Sequence, residues 1–65
     1  MKNKIAEYRR KQGLTQSQLA EKCSLASYVV VQRYERETRT PTVDTAIRIA
    51  RALNATVEEI FVVDD

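Results

Sequence analysis

The segment from Thr15 to Lys22 constrains the fold more than any other part of the sequence. Thr15 is a typical helix N-cap, and Gln18 three positions later predicts a capping box, in which each side chain bonds the backbone N–H of the other residue. Leu19 gives the helix a buried edge, and Ala20 is small enough for another helix to cross closely. The segment therefore predicts a short helix packed against a neighbour.

A second short helix, rich in hydrogen-bonding side chains, is predicted from Tyr28 to Arg36, after a turn at 24–26. Ser27 can cap its first turn. Two short helices joined by a tight turn, the second with polar groups pointing outward, can place a row of donors in a DNA major groove. The segment from about 16 to 36 therefore predicts a DNA-binding helix-turn-helix.

Start and stop signals predict five helices, over residues 3–12, 16–23, 28–36, 43–53 and 57–60. Gly13 ends the first helix, Thr42 caps the fourth, and Thr56 with Glu59 forms a second capping box. Phe61 opens an apolar tail with β propensity. The predicted core, chosen by helical spacing, comprises Ile5, Tyr8, Leu14, Leu19, Ala20, Leu25, Val31, Tyr34, Ala46, Ile47, Ala50, Leu53 and Ile60.

From about Ile5 to Phe61 the chain resembles the phage-repressor and Cro-like (XRE-type) helix-turn-helix family. The order and spacing of the landmarks carry the resemblance, whereas none is specific alone. It implies an all-α, five-helix lambda-repressor-like domain that binds operator DNA through its third helix, usually as a homodimer. The landmarks are Gly13-Leu14-Thr15-Gln16, Leu19-Ala20-Glu21-Lys22, Tyr34-Glu35-Arg36, Pro41, Ala46 to Asn54, and Thr56-Val57-Glu58-Glu59-Ile60.

The chain departs from the family pattern around the third helix. Ser24 and Glu37 stand where the family usually has glycines, and the segment from Leu25 to Glu35 is one residue longer than usual. These departures allow two registers for the helix.

In one register Val30 is buried with Arg33 as its i+3 partner, and in the other Val31 and Tyr34 are buried. Burying an unpaired arginine would cost several kcal/mol, whereas tyrosine can bury its ring and keep its hydroxyl hydrated. We therefore adopt the second register. Its predicted exposed face comprises Tyr28, Val29, Gln32, Arg33 and Arg36.

The resemblance and the exposed face together predict the residues that contact DNA. Gln16 corresponds to a family glutamine that lies on the DNA backbone, and arginine, glutamine and valine can contact guanine, adenine and the thymine methyl respectively. Arg9 and Glu35 match a structural pair of the family and are not predicted to contact DNA. An ordinary solvated surface is the alternative for each member of the predicted set, which is Gln16, Ser27, Tyr28, Val29, Gln32, Arg33, Arg36, Arg39 and Thr40.

Length and composition predict one domain over residues 1–65 and exclude several kinds of site. With one cysteine and no histidine, neither an intrachain disulfide nor a metal site is expected, no cofactor is implied, and no acid, base and nucleophile set for an enzyme can be assembled. No segment resembles a signal peptide or a membrane helix, so a cytoplasmic protein is expected.

The net charge of +2 conceals an asymmetry. Residues 1–53 contain all eleven basic residues and five acidic ones, a net charge of +6, whereas residues 54–65 contain four acids and no base. A cationic body with an anionic end suits a polyanionic partner on one side.

These features predict a sequence-specific transcriptional regulator, a repressor that binds double-stranded DNA as a homodimer. The acidic end would lie away from phosphates, so the dimer interface is expected at Phe61, Val62 and Val63; the alternative is that Phe61 folds back on its own domain. The competing function is a protein–protein interaction module, or a scaffold with altered operator recognition, including an antitoxin-like protein. The apolar run from Tyr28 to Val31 and the missing turn glycine favour that alternative.

Overall fold

The computed structural model describes residues 2–62, in which five helices lie between two short strands. The predicted five-helix, predominantly helical fold is confirmed. The strands are Lys2–Asn3 (β1) and Phe61–Val62 (β2), and the helices are Ile5–Lys11 (α1), Gln16–Lys22 (α2), Tyr28–Glu35 (α3), Val43–Ala52 (α4) and Val57–Ile60 (α5).

The predicted N-terminal caps of α2 to α5 are all present. Thr15 Oγ1 accepts from the backbone N–H of Gln18 at 3.0 Å, and Gln18 Oε1 accepts from that of Thr15 at 2.8 Å. The same reciprocal pair links Thr56 and Glu59 at the start of α5. Ser27 and Thr42 cap α3 and α4 through their hydroxyl groups. Local hydrogen bonding therefore fixes where these four helices begin.

Each of the helices α1 to α4 ends in the same backbone motif. The residue two positions after the C-cap donates its N–H to a carbonyl five residues earlier, as Leu14 does to Arg9 at 3.0 Å and Leu25 to Ala20 at 2.9 Å. This Schellman arrangement requires a left-handed residue just before the donor. Those left-handed residues are Gly13 (φ 69°), Ser24 (φ 55°), Glu37 (φ 62°) and Asn54 (φ 56°).

The core follows the prediction with two additions and one exchange. Cys23, Ile49 and Phe61 are buried although they were not among the predicted core residues, and Ile47, which was, is only half-buried. Ile49 is fully buried and so takes the place on α4 that was predicted for Ile47. The predicted residues Tyr8, Leu14 and Leu25 pack against the core but are only partly buried.

The two ends of the described chain pair with each other, which the sequence did not predict. Asn3 is paired with Phe61, and Lys2 with Val62, in an antiparallel two-stranded sheet. Asn3 was predicted to begin the first helix, but α1 begins at Ile5 because Asn3 is extended and its Oδ1 accepts from the N–H of Ile5. The predicted helix ends at Gln12, Cys23, Arg36 and Leu53 each lie one residue too far, since these residues are the C-caps.

The helices are arranged around α2, which packs against α3 on one side and against α4 on the other. α1 packs against α3, and α5 packs against α4. This arrangement places α3 at one side of the domain and the pair α4–α5 at another.

Candidate nucleic-acid interface

The register of α3 is the one in which Val31 and Tyr34 face the core. Val31 is 0% exposed and Tyr34 is 4% exposed, whereas Arg33 is exposed. Val30, the buried residue of the rejected register, is half-buried and packs against the edge of the core. The structure therefore confirms the predicted register, in which Arg33 is not buried.

The outer face of α3 presents the five residues that were predicted to lie there. Tyr28 is 48% exposed and begins the helix beside its cap Ser27, which is also exposed. Arg33 and Arg36 are exposed, while Val29 and Gln32 are half-buried. Residues separated by three or four positions share a helix face, so these side chains form one mixed surface of aromatic, apolar, amide and guanidinium groups.

The sharp turn between α2 and α3 forms without the glycine usual in the family. Ser24 adopts a left-handed conformation with φ 55°, the conformation that a glycine would supply. The turn geometry is therefore retained despite the departure in sequence.

Arg9 and Glu35 form an ion pair that joins α1 to the end of α3. Arg9 Nε lies 2.7 Å from Glu35 Oε2, and the two side chains are only 11% and 9% exposed. The guanidinium also donates from Nη1 to the carbonyl oxygen of Leu14 at 2.9 Å. The predicted structural pair is therefore present, and it fixes the orientation of α1, the turn after it and α3.

Gln16, the first residue of α2, lies beside the C-terminal end of α3. Its side chain is half-buried, and its Nε2 donates to Glu35 Oε1 at 3.1 Å. The sequence predicted Gln16 for the DNA backbone and Glu35 for a structural pair, but it did not predict that the two are hydrogen-bonded. They lie on different helices, so no local spacing indicates the contact.

The loop after α3 holds the remaining predicted site residues, Arg39 and Thr40, both of which are exposed. The Arg39 guanidinium lies 5.9 Å from the centre of the Tyr34 ring, within the range of a cation–π contact. Thr38 Oγ1 donates to the carbonyl oxygen of Arg33 at 3.2 Å and so continues the cap of α3. The loop is thus held close to the end of α3.

The guanidinium groups of Arg33, Arg36 and Arg39 form no ion pair with any carboxylate of residues 2–62. Three exposed cations at the end of one helix and in the loop after it therefore keep their charge available to an external anion. Phosphate is an anion that arginine can bind in a bidentate manner.

Asn3 supports the end of α3, although no functional role was predicted for it. Its Nδ2 donates to the carbonyl oxygen of Tyr34 at 2.8 Å, and its backbone N–H donates to Glu37 Oε2 at 3.1 Å. Asn3 thereby ties β1 to the last turn of α3. The available signal was the ability of asparagine to bond nearby backbone groups, but the partner lies 31 residues away.

The buried thiol of Cys23 is packed inside the core at the end of α2. Burial raises the pKa of this thiol, and the positive charges of Arg48 and Lys22 oppose the rise only in part. Within residues 2–62 no cluster of three potential metal ligands occurs, and no helix of this range is long and apolar enough to cross a membrane.

Three proteins and one family model establish what the chain is related to. The model of the helix-turn-helix family matches residues 5–60. An HTH-type transcriptional regulator of Archaeoglobus fulgidus is 37% identical over 65 residues, which cover 100% of this chain and 91% of that protein. A regulator of the same description from Methanothermobacter thermautotrophicus is 36% identical over 66 residues, covering 100% and 94%.

A solved structure, the complex of the SinR and SinI proteins, contains a chain with the same fold. It superposes with a TM-score of 0.77 at 27% sequence identity, covering 85% of this chain. The present chain spans 53% of the length of that chain. Together with the α2–turn–α3 geometry, these matches show that the chain is a DNA-binding transcriptional regulator of the XRE-type helix-turn-helix family, with the lambda-repressor-like fold.

Proposed function

We propose that the chain is a repressor that binds operator DNA as a homodimer and blocks access to the promoter. One observation carries the proposal: the exposed face of α3 combines Tyr28, Arg33 and Arg36 with the half-buried Val29 and Gln32, beside cations that have no carboxylate partner in residues 2–62. Such a face offers groups for base edges and groups for phosphates on one helix.

The proposed contacts divide into those that read bases and those that position the protein. Gln32 and Arg33, near the middle of α3, and Tyr28 and Val29 at its start would face base edges in the major groove. The positioning group would bond phosphates and sugars and carry no sequence information. Its members are Gln16, Ser27, Arg36, Arg39 and Thr40.

Selection of bound sites from random duplex DNA tests the proposal. A repressor of this kind should enrich a pseudo-palindromic sequence, and its affinity for that sequence should fall by orders of magnitude between low and high salt, because neutralised phosphates release counterions. Binding that does not change with salt, or no enrichment of any sequence, would contradict the proposal. A promoter-occlusion assay with the selected site then separates repression from activation.

The dimer is proposed to form at the C-terminal end of the domain, where the described residues expose an apolar groove between α4 and α5. Phe61 is buried in the core of its own chain, as in the alternative weighed from the sequence, but one side of it lines this groove. Val62 is half-buried in β2, and Val63 lies outside the described residues. The groove is lined by Pro41, Val43, Ala46, Ile47, Val57, Glu58 and Phe61.

Val43 marks this groove as the surface that a second copy would cover. It is 76% exposed, and the other large apolar residue exposed among residues 2–62, Tyr28, lies on the face proposed for DNA. Asp44 and Arg48 on α4 and Glu58 on α5 flank the groove, so a two-fold contact can place charges of opposite sign across the interface. The isologous contact would join two DNA-binding faces about one DNA turn apart.

The two sequence features that favoured a protein–protein interaction module have explanations in the fold. Val31 is fully buried and Val30 packs against the core, so the apolar run is largely explained by packing. Ser24 adopts the turn conformation that glycine would supply. SinR occurs in a complex with the SinI protein. For this chain, retention on DNA at low salt with release at high salt separates the two functions, because a DNA-binding protein should show it and a protein–protein interaction module should not.

A further inference from the structure

The carboxylate of Glu35 is shared by side chains from two other helices. Its Oε2 accepts from Arg9 Nε at 2.7 Å, and its Oε1 accepts from Arg9 Nη2 at 3.3 Å and from Gln16 Nε2 at 3.1 Å. Arg9 also holds the carbonyl oxygen of Leu14, in the turn before α2. The ion pair between α1 and α3 is therefore hydrogen-bonded both to the first residue of α2 and to the turn before α2.

Low exposure strengthens this arrangement. The side chains of Arg9 and Glu35 are 11% and 9% exposed, so water screens their charges weakly. A hydrogen bond to an ionised carboxylate is stronger than one between neutral groups. The long side chain of Gln16, which would sample several rotamers in water, is therefore held in one arrangement before any ligand binds.

We propose that Glu35 is a positioning residue for a DNA-backbone contact made by Gln16. The inference rests on the proposed function, in which Gln16 meets a phosphate at the start of α2. The amide nitrogen of glutamine carries two hydrogens; Glu35 accepts one, and the other is left to donate to a phosphate oxygen. Arg9 supports the same contact, because without its positive charge the carboxylate of Glu35 would repel the phosphate.

A double-mutant cycle on duplex affinity tests this role. Gln16→Ala should weaken binding about threefold to tenfold in the wild-type chain, the range expected for ordering one flexible side chain. In an Arg9→Met/Glu35→Met background the same change should alter affinity less than about twofold, because the coupling is already lost. This background leaves no unpaired buried charge and no change in net charge. Equal factors in the two backgrounds would overturn the proposal.

Gln12→Ala is the matched control for the cycle, since Gln12 is an exposed glutamine at the end of α1. Its effect should be the same in both backgrounds. Urea unfolding of each variant checks that the compared chains are folded. If the wild-type chain binds no duplex, the proposed function fails and this inference fails with it, whereas salt-dependent binding with additive effects overturns the positioning role alone.

The ordering of the Gln16 side chain can also be measured by NMR in the wild-type chain, so that this test does not depend on the folding of any variant. The two side-chain amide protons of Gln16 should be separated further in chemical shift than those of free glutamine and should exchange slowly with solvent, whereas those of Gln12 should resemble free glutamine. Identical behaviour of Gln16 and Gln12 at neutral pH would overturn the proposal.

Discussion

The side-chain amide of Asn3 donates to the backbone carbonyl oxygen of Tyr34 at 2.8 Å and thereby connects the sheet formed by β1 and β2 to the end of α3. Asn3 is also paired with Phe61 in that sheet. The C-terminal strand, the N-terminal strand and the helix proposed to read DNA are therefore one connected unit. The strand β2 is thus linked to α3 through a single residue, Asn3.

Asn3→Ala should lower the free energy of unfolding by about 1–2 kcal/mol, because it removes a part-buried hydrogen bond and leaves the sheet less firmly tied to α3. Urea denaturation measures the loss. Lys4→Ala is the control, since Lys4 is exposed and a change there should stay within about 0.5 kcal/mol. Equal losses for the two variants would contradict the structural role of Asn3.

Ser24→Gly should stabilise the domain by about 0.5–1 kcal/mol. A left-handed conformation strains serine by more than the backbone entropy that glycine adds, and Ser24 has φ 55°. The gain should appear as a higher midpoint of thermal unfolding. Glu37→Gly should gain less, because it also removes the acceptor of the Asn3 backbone N–H. A lower midpoint for Ser24→Gly would contradict this reasoning.

Gly13→Ala tests the same backbone strain in the opposite direction, because it places a side chain on a residue in the left-handed conformation. Gly13 has φ 69°, and a Cβ at this position would meet no atom within 4 Å. The loss of stability, about 1 kcal/mol, should therefore arise from backbone strain and not from a steric clash. If Gly13→Ala is neutral while Ser24→Gly stabilises, strain alone does not explain both positions.

The stability of the last helical turn should decrease in acid. Hydrogen bonds from the backbone and side chain of Thr56 lower the pKa of Glu59, so the unfolded chain binds a proton more readily than the folded one. This contribution is present above the ordinary pKa of glutamate, about 4.3, and is lost as the pH falls through the lower value of the folded state. Glu59→Gln should abolish this part of the pH dependence, as amide exchange in α5 would show.

Arg33→Ala should relax base preference and cost about 1–3 kcal/mol on the selected site while leaving unfolding unchanged, because Arg33 is exposed on α3. Arg51→Ala is the matched control, since Arg51 is an exposed arginine on α4 outside the proposed DNA and dimer contacts. It should leave base preference intact. Binding profiles over a library of single-base variants measure both. A loss of the same size on every sequence would assign Arg33 to the phosphates.

Local signals in the sequence predicted the helices well because the physics that sets them is local. Thr15 with Gln18 and Thr56 with Glu59 are bonded as predicted, and the cost of burying an arginine selected the register of α3. Long-range contacts could not be predicted in this way. The pairing of Asn3 with Phe61 depends on where the helices between them bring the two ends of the chain.

The candidate site likewise combines features that local spacing predicts with long-range contacts that it does not predict. The exposed face of α3 follows from helical spacing, so its five residues could be named from the sequence. The bond from Gln16 to Glu35 joins positions 19 residues apart, and no spacing rule indicates it. Along α4 and its C-cap, the buried residues Ala46, Ile49, Ala50 and Leu53 repeat at helical spacing, whereas Ile47 lies at the edge of this stripe and is half-buried.

Val43→Lys should convert the proposed dimer to a monomer. Val43 is 76% exposed, so the domain should keep its fold, while a charge in the apolar groove would oppose a second copy. Tyr28→Lys is the matched control, since it places the same charge on the other large exposed apolar residue and should leave sedimentation unchanged.

A substitution is preferable to a truncation after Ile60, which would remove Phe61 from the core. Sedimentation at several concentrations and affinity for the full two-fold site should both weaken in Val43→Lys, whereas affinity for a single half-site should not. A Val43→Lys chain that sediments as the wild type does would place the interface elsewhere. If instead it loses half-site binding as well, the groove would belong to the DNA-binding surface.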